Sequence, residues 1–205
     1  MKLSLLTLAR LNILLHIVGL AFAAFGMWPP LRDETFAEFV GSSPLGWTLG
    51  WATWMLCAVA LIAFLATAVN RLPERAPLAW LGLTFAVVGL GFDLLCDSIY
   101  IFILPRLGKG FTPNLFATLQ GITNIASLFI ANGAYSVGIL LISADIKRLG
   151  RARPATTGVG YAVGMCGLLL AATGFLNVQL FTALAAAPTI LLFCAWVVLV
   201  ARDLE

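Results

Sequence analysis

Asp93 and Asp97 lie within an apolar run, residues 78–104, long enough to cross a bilayer. An aspartate at the centre of a membrane helix costs roughly 2.5 to 3.5 kcal/mol on insertion scales, so two in one span require compensation. Spaced i, i+4, they share one helical face, which Tyr100 extends at i+7. Lipid offers no hydrogen-bond partner, so this face must look into protein or water. A pair of carboxyl groups in such a setting can hold a proton, attract a ligand or act as acid and base.

Other polar residues fall at comparable depth. The first span carries Asn12 and His16 on one face, and the fourth carries Gln120, Asn124, Asn132 and Tyr135. Asn177 and Gln179 sit at the end of the fifth. At about 1.5 Å per residue, Asp97 lies about 6 Å further out than Asp93. Matching depths brings His16, Asp93 and Asn132 together near the midplane, with Asp97, Asn124, Gln120 and Tyr100 in an outer tier. Imidazole titrates near neutral pH, and a carboxyl group removed from water can also change charge in a working cycle.

The reading that follows is a polar intramembrane site between the first, third and fourth spans. It binds a small ligand or handles protons, as in a transporter or sensor. The candidates are His16, Asp93, Asp97, Asn132, Asn124, Asn12, Tyr100 and Tyr135. Two alternatives stand beside it: a membrane-embedded enzyme acting on a lipid or isoprenoid, and a structural subunit of a larger membrane complex. The alternatives differ in what surrounds the carboxyl groups. An enzyme needs a lateral opening to lipid, and a structural subunit needs only a closely packed interior.

Catalytic motifs are absent. There is no HExxH, nucleophile elbow or glycine-rich phosphate loop. One histidine builds neither a hydrolytic triad nor a metal cluster, so no metal is expected and no cofactor is named. Ser98 and Ser127 read as isolated hydroxyls. Cys57, Cys96, Cys166 and Cys194 form no CxxC pair and read as small packing residues.

The elements that carry these residues are apolar throughout. Of 205 residues, 61% are hydrophobic and 10% charged; mean hydropathy is +1.03. Soluble proteins carry about 25% charged residues. The apolar runs predict an all-α polytopic integral membrane protein, a single bundle of six transmembrane helices with spans near 5–27, 47–70, 78–104, 116–143, 158–177 and 182–201. They leave no room for a separate soluble domain. The first span resembles a signal peptide until Arg10, Asn12 and His16 interrupt its apolar stretch, so it reads as a membrane helix.

An even number of spans puts both termini on one side. That side holds nine cations, Lys2, Arg10, Arg71, Arg75, Lys147, Arg148, Arg151, Arg153 and Arg202, against Arg32, Arg106 and Lys109 opposite. The bias predicts a multi-pass protein of the cell membrane with both termini cytoplasmic. The net charge of +3 is accounted for by the 147–153 loop and implies no nucleic acid.

The expected surroundings are the lipid bilayer and a small-molecule or lipid ligand, with a homo-oligomer or larger complex compatible. Residues 33–40 suggest a short amphipathic helix in the first outer loop. Trp28, Trp47, Trp51 and Trp54 suggest an interfacial aromatic belt. Gly82, Gly89 and Gly91 in the third span, and Gly160, Gly164, Gly167 and Gly174 in the fifth, suggest smooth flanks for helix packing.

Overall fold

The computed structural model describes residues 4–25, 36–42, 45–110, 113–176 and 179–205. Six of its helices are long and apolar enough to span a membrane: α1 (Leu5–Phe25), α3 (Leu45–Val69), α4 (Pro77–Lys109), α5 (Asn114–Arg148), α6 (Pro154–Phe175) and α7 (Gln179–Leu204). The short α2 (Phe36–Gly41) lies between α1 and α3. No strand occurs among the described residues. This is a six-helix membrane bundle. Each span packs on the one before it, and α7 returns to α1, so the spans form a closed ring in chain order.

The ring is filled by two apolar clusters. One, at the end holding α1's start and α7's finish, joins Leu5 and Leu8 to Phe64, Leu65, Ile142, Ile146, Trp196 and Val200. The other, at the opposite end, joins Phe39, Val40, Trp47, Cys96, Tyr100, Leu104 and Phe116. Lipid is as apolar as these side chains, so close packing has to hold the helices together. Glycine permits the closest contacts. A Cβ on Gly82 would lie 2.6 Å from the Gly138 carbonyl oxygen, and one on Gly138 equally near that of Gly82. Backbone therefore meets backbone across α4 and α5. On α6, Gly160, Gly164, Gly167 and Gly174 receive Ser143, Leu140, Ser136 and Leu128 of α5. Gly91 departs from the expected flank, since nothing lies within 4 Å of its Cβ position.

α4 and α5 outrun the spans expected for them. Residues 105–109 lie beyond the expected span 78–104, yet α4 continues to Lys109. The helix widens into a π segment at Ile99–Ile103, where the Leu104 amide bonds back to the Ile99 carbonyl. Pro105 has no N–H to offer the Tyr100 carbonyl, and the Trp47 indole N–H of α3 donates to it instead, at 2.8 Å. Trp47 is thus a buried hydrogen-bond donor rather than part of an interfacial belt. α5 has a second π segment, Ile125–Ala131, with no proline in it.

At the end carrying the chain termini, helix N-termini are capped by their neighbours. The residues preceding α4 and α6, Ala76 and Arg153, form no side-chain cap of their own. Asp145 of α5, fully buried, accepts the Ala79 amide at 2.8 Å and pairs with Arg148 at 2.8 Å. Asp203 of α7 accepts the Arg153 amide at 2.9 Å and the Thr156 hydroxyl at 2.6 Å. Glu205 accepts the Leu6 amide of α1 at 3.2 Å. Each carboxylate meets the positive end of a helix dipole and a donor the helix cannot itself satisfy. None of these three acids stood out in the sequence.

α2 matches the expected amphipathic helix in place, although only from residue 36, since residues 26–35 lie outside the described set. It lies against the end of α4 through Gly41 and Gly108, whose backbones approach closely, and it lays Phe36, Phe39 and Val40 on the second apolar cluster. Trp28 and Asn177 also fall outside the described residues, as does the side chain of Gln179.

Candidate functional site

The two π segments flank the polar centre of the bundle. On α5, eight residues of regular helix would leave Ser127 and Tyr135 about 80° apart around the axis. The wider π turn between them removes much of that offset, and Tyr135 leans toward the helix N-terminus as helical side chains do. Both hydroxyls converge on Asp93 of α4: Ser127 Oγ donates to one carboxyl oxygen at 3.1 Å and Tyr135 to the other at 3.2 Å. Gly89, one turn before Asp93, makes room, since a Cβ there would stand 3.0 Å from the Tyr135 ring.

Asn132 does not reach Asp93. Its side-chain amide donates to the Ser127 carbonyl at 3.0 Å, securing the π segment from which Ser127 acts. Further out, the Tyr100 hydroxyl donates to Asn124 Oδ1 across the same pair of helices. The Tyr100 ring stacks on Trp51 of α3, with centroids 3.8 Å apart and planes 10° from parallel. Trp47 stands edge-on to both rings, at 5.6 and 5.9 Å.

Asp97 lies between these two tiers. It is 1% exposed, and neither carboxyl oxygen has a hydrogen-bond partner among the described residues. The buried Trp51 indole N–H is likewise unpartnered. No lysine or arginine among the described residues forms an ion pair with either aspartate. Buried charges ordinarily have a partner, which makes this acidic interior unusual.

His16 and Asn12 belong elsewhere. The Asn12 amide donates to the Leu8 and Ala60 carbonyls, both at 2.9 Å, tying α1 to α3. His16 bonds through Nδ1 to the Asn12 carbonyl at 2.8 Å and packs between Trp54 and Phe193. The expected meeting of His16, Asp93 and Asn132 does not occur. The site is built by α3, α4 and α5, with α1 contributing a separate polar contact. Within the expected outer tier, Tyr100 and Asn124 do bond, but neither Asn124 nor Gln120 bonds Asp97.

Ser127, expected to be an isolated hydroxyl, bonds Asp93, and Trp47 and Trp51, expected in an aromatic belt, pack on Tyr100. The one available signal was Pro105, whose missing N–H leaves a carbonyl that an indole can serve. No group of three or more His, Cys, Asp or Glu side chains among the described residues could hold a metal ion. The chain matches no protein-family model, no curated protein and no solved structure.

Proposed function

We propose that this membrane protein binds a small ligand or handles protons at the Asp93–Asp97 pair, as a transporter or sensor does. The observation that carries the reading is Asp97: enclosed in the bilayer-spanning part of the bundle, without a hydrogen-bond donor or a counter-charge among the described residues. A carboxyl group so placed is costly unless it exchanges a proton or meets a ligand. Wide π turns on α4, which carries Asp97, and on α5, which bonds Asp93, agree with this, because such turns gather at functional sites.

A second reading, structural glue, draws support from Asp93. Its two hydroxyl donors join α4 to α5 without any ligand. The readings separate in infrared difference spectra of the purified protein taken across a pH step. A carbonyl band of a protonated carboxyl group should appear, and Asp97→Asn should remove it. Asp93→Asn should keep the fold, because an amide can still accept from one hydroxyl and donate to the other. A pH step that moves no Asp97 band would exclude proton handling there.

The proposal includes orientation and membrane: one bundle in the cell membrane, with both termini in the cytoplasm, supported by the nine-to-three distribution of cations. Ala155→Cys and Gly110→Cys place thiols at exposed positions on opposite sides. An impermeant maleimide added outside intact cells should label position 110 and spare position 155. The reverse pattern would invert the assignment.

A further inference from the structure

We infer that the ligand of this site is a small organic cation, an alkylated or protonated amine, bound with its charge at Asp97 and its apolar groups against Trp51 and Tyr100. The inference rests on the proposed role of Asp97 and deepens it by naming a ligand class.

Three observations select that class. The sign of the interior comes first. Asp93 and Asp97 are the acids of this site, and no described lysine or arginine pairs with either, so an anion would find no described counter-charge to offset its desolvation. The second is the supply of oxygen. Hard metal cations take about six or more oxygen ligands. Both Asp93 oxygens already accept from Ser127 and Tyr135, and Asn124 Oδ1 from Tyr100, so among these side-chain oxygens only the two of Asp97 lack a donor. An ammonium group is satisfied by one carboxylate together with the face of an aromatic ring.

The third is the wall itself. Trp51 and Tyr100 are stacked, Trp47 stands edge-on to both, and Asp97 lies three residues before Tyr100 on α4. The unpartnered Trp51 N–H adds a donor for an oxygen or other acceptor on the same ligand. Aromatic rings about one helical turn along α4 from an unpaired carboxyl group suit a cation with an apolar skirt, whose weak hydration makes it cheaper to bring out of water than a bare ion.

The test uses the full chain in detergent, titrated with benzyltrimethylammonium and with neopentylbenzene, the hydrocarbon of the same shape without the charge. Tryptophan fluorescence reports binding. The cation should bind saturably and the hydrocarbon should neither mimic it nor compete. Asp97→Asn should weaken the cation at least tenfold with an unchanged melting temperature, and Asp97→Glu should recover part of the loss. Equal binding of the two probes, or cation binding indifferent to Asp97→Asn, would overturn the inference. So would absence of saturable cation binding in a protein whose Asp97 infrared band still follows pH; that outcome leaves the proton-handling reading standing. Loss of both signals removes the two together.

Discussion

Gly138→Ala should destabilise the bundle by about 3 kcal/mol, toward the upper end of the usual cost of overpacking. The added methyl would sit 2.6 Å from the Gly82 carbonyl oxygen. That obstacle is backbone, so no rotamer change relieves it, and α4 and α5 must move apart. Separation would also draw Ser127 and Tyr135 away from Asp93, coupling the seam to the polar site. The informative contrast is Gly91→Ala, where nothing lies within 4 Å of the new atom. There alanine's better helix propensity, worth up to about 1 kcal/mol, should leave stability unchanged or raised. Thermal unfolding in detergent, followed by circular dichroism, reads both. Shifts of the same sign in the two variants would refute the close α4–α5 contact.

Asp145→Ala should cost about 2 to 3 kcal/mol, combining a lost N-terminal cap on α4 with a lost charge-assisted hydrogen bond. The cost stays below that of breaking a fully buried ion pair, because Arg148 is half exposed and can turn to water. Asp145→Asn should fall between, since its carbonyl can still accept the Ala79 amide while the pairing with Arg148 weakens. The exposed Glu74 supplies the comparison: Glu74→Ala should lie within about 0.5 kcal/mol of the parent. Equal melting shifts for Asp145→Ala and Glu74→Ala would show that α4 does not depend on a cap from α5.

Residue order alone settles much of this molecule. Six apolar stretches of sufficient length must become helices in a bilayer, because each backbone amide there needs a partner within its own segment. Asp93 and Asp97 share a face by helical spacing, and their depth follows from the rise per residue. The side-by-side grouping of Tyr100 and Asn124 was likewise legible from matched depth.

Which faces meet was decided by tertiary structure. These spans are apolar almost all round, so no stripe marks the side turned to protein, and depth says nothing about rotation about the axis. His16 and Asp93 illustrate this: similar in depth, they ended in different contacts, the imidazole between Trp54 and Phe193, the carboxyl group under Ser127 and Tyr135. The π turns changed the rotation of α4 and α5 partway along, which a regular helical count cannot anticipate. Asp145, Asp203 and Glu205 read as ordinary charges near helix ends until the ring closed and set each beside the open N-terminus of another helix. Those partners are distant in sequence, and only packing brings a carboxylate to an amide that its own helix leaves unsatisfied.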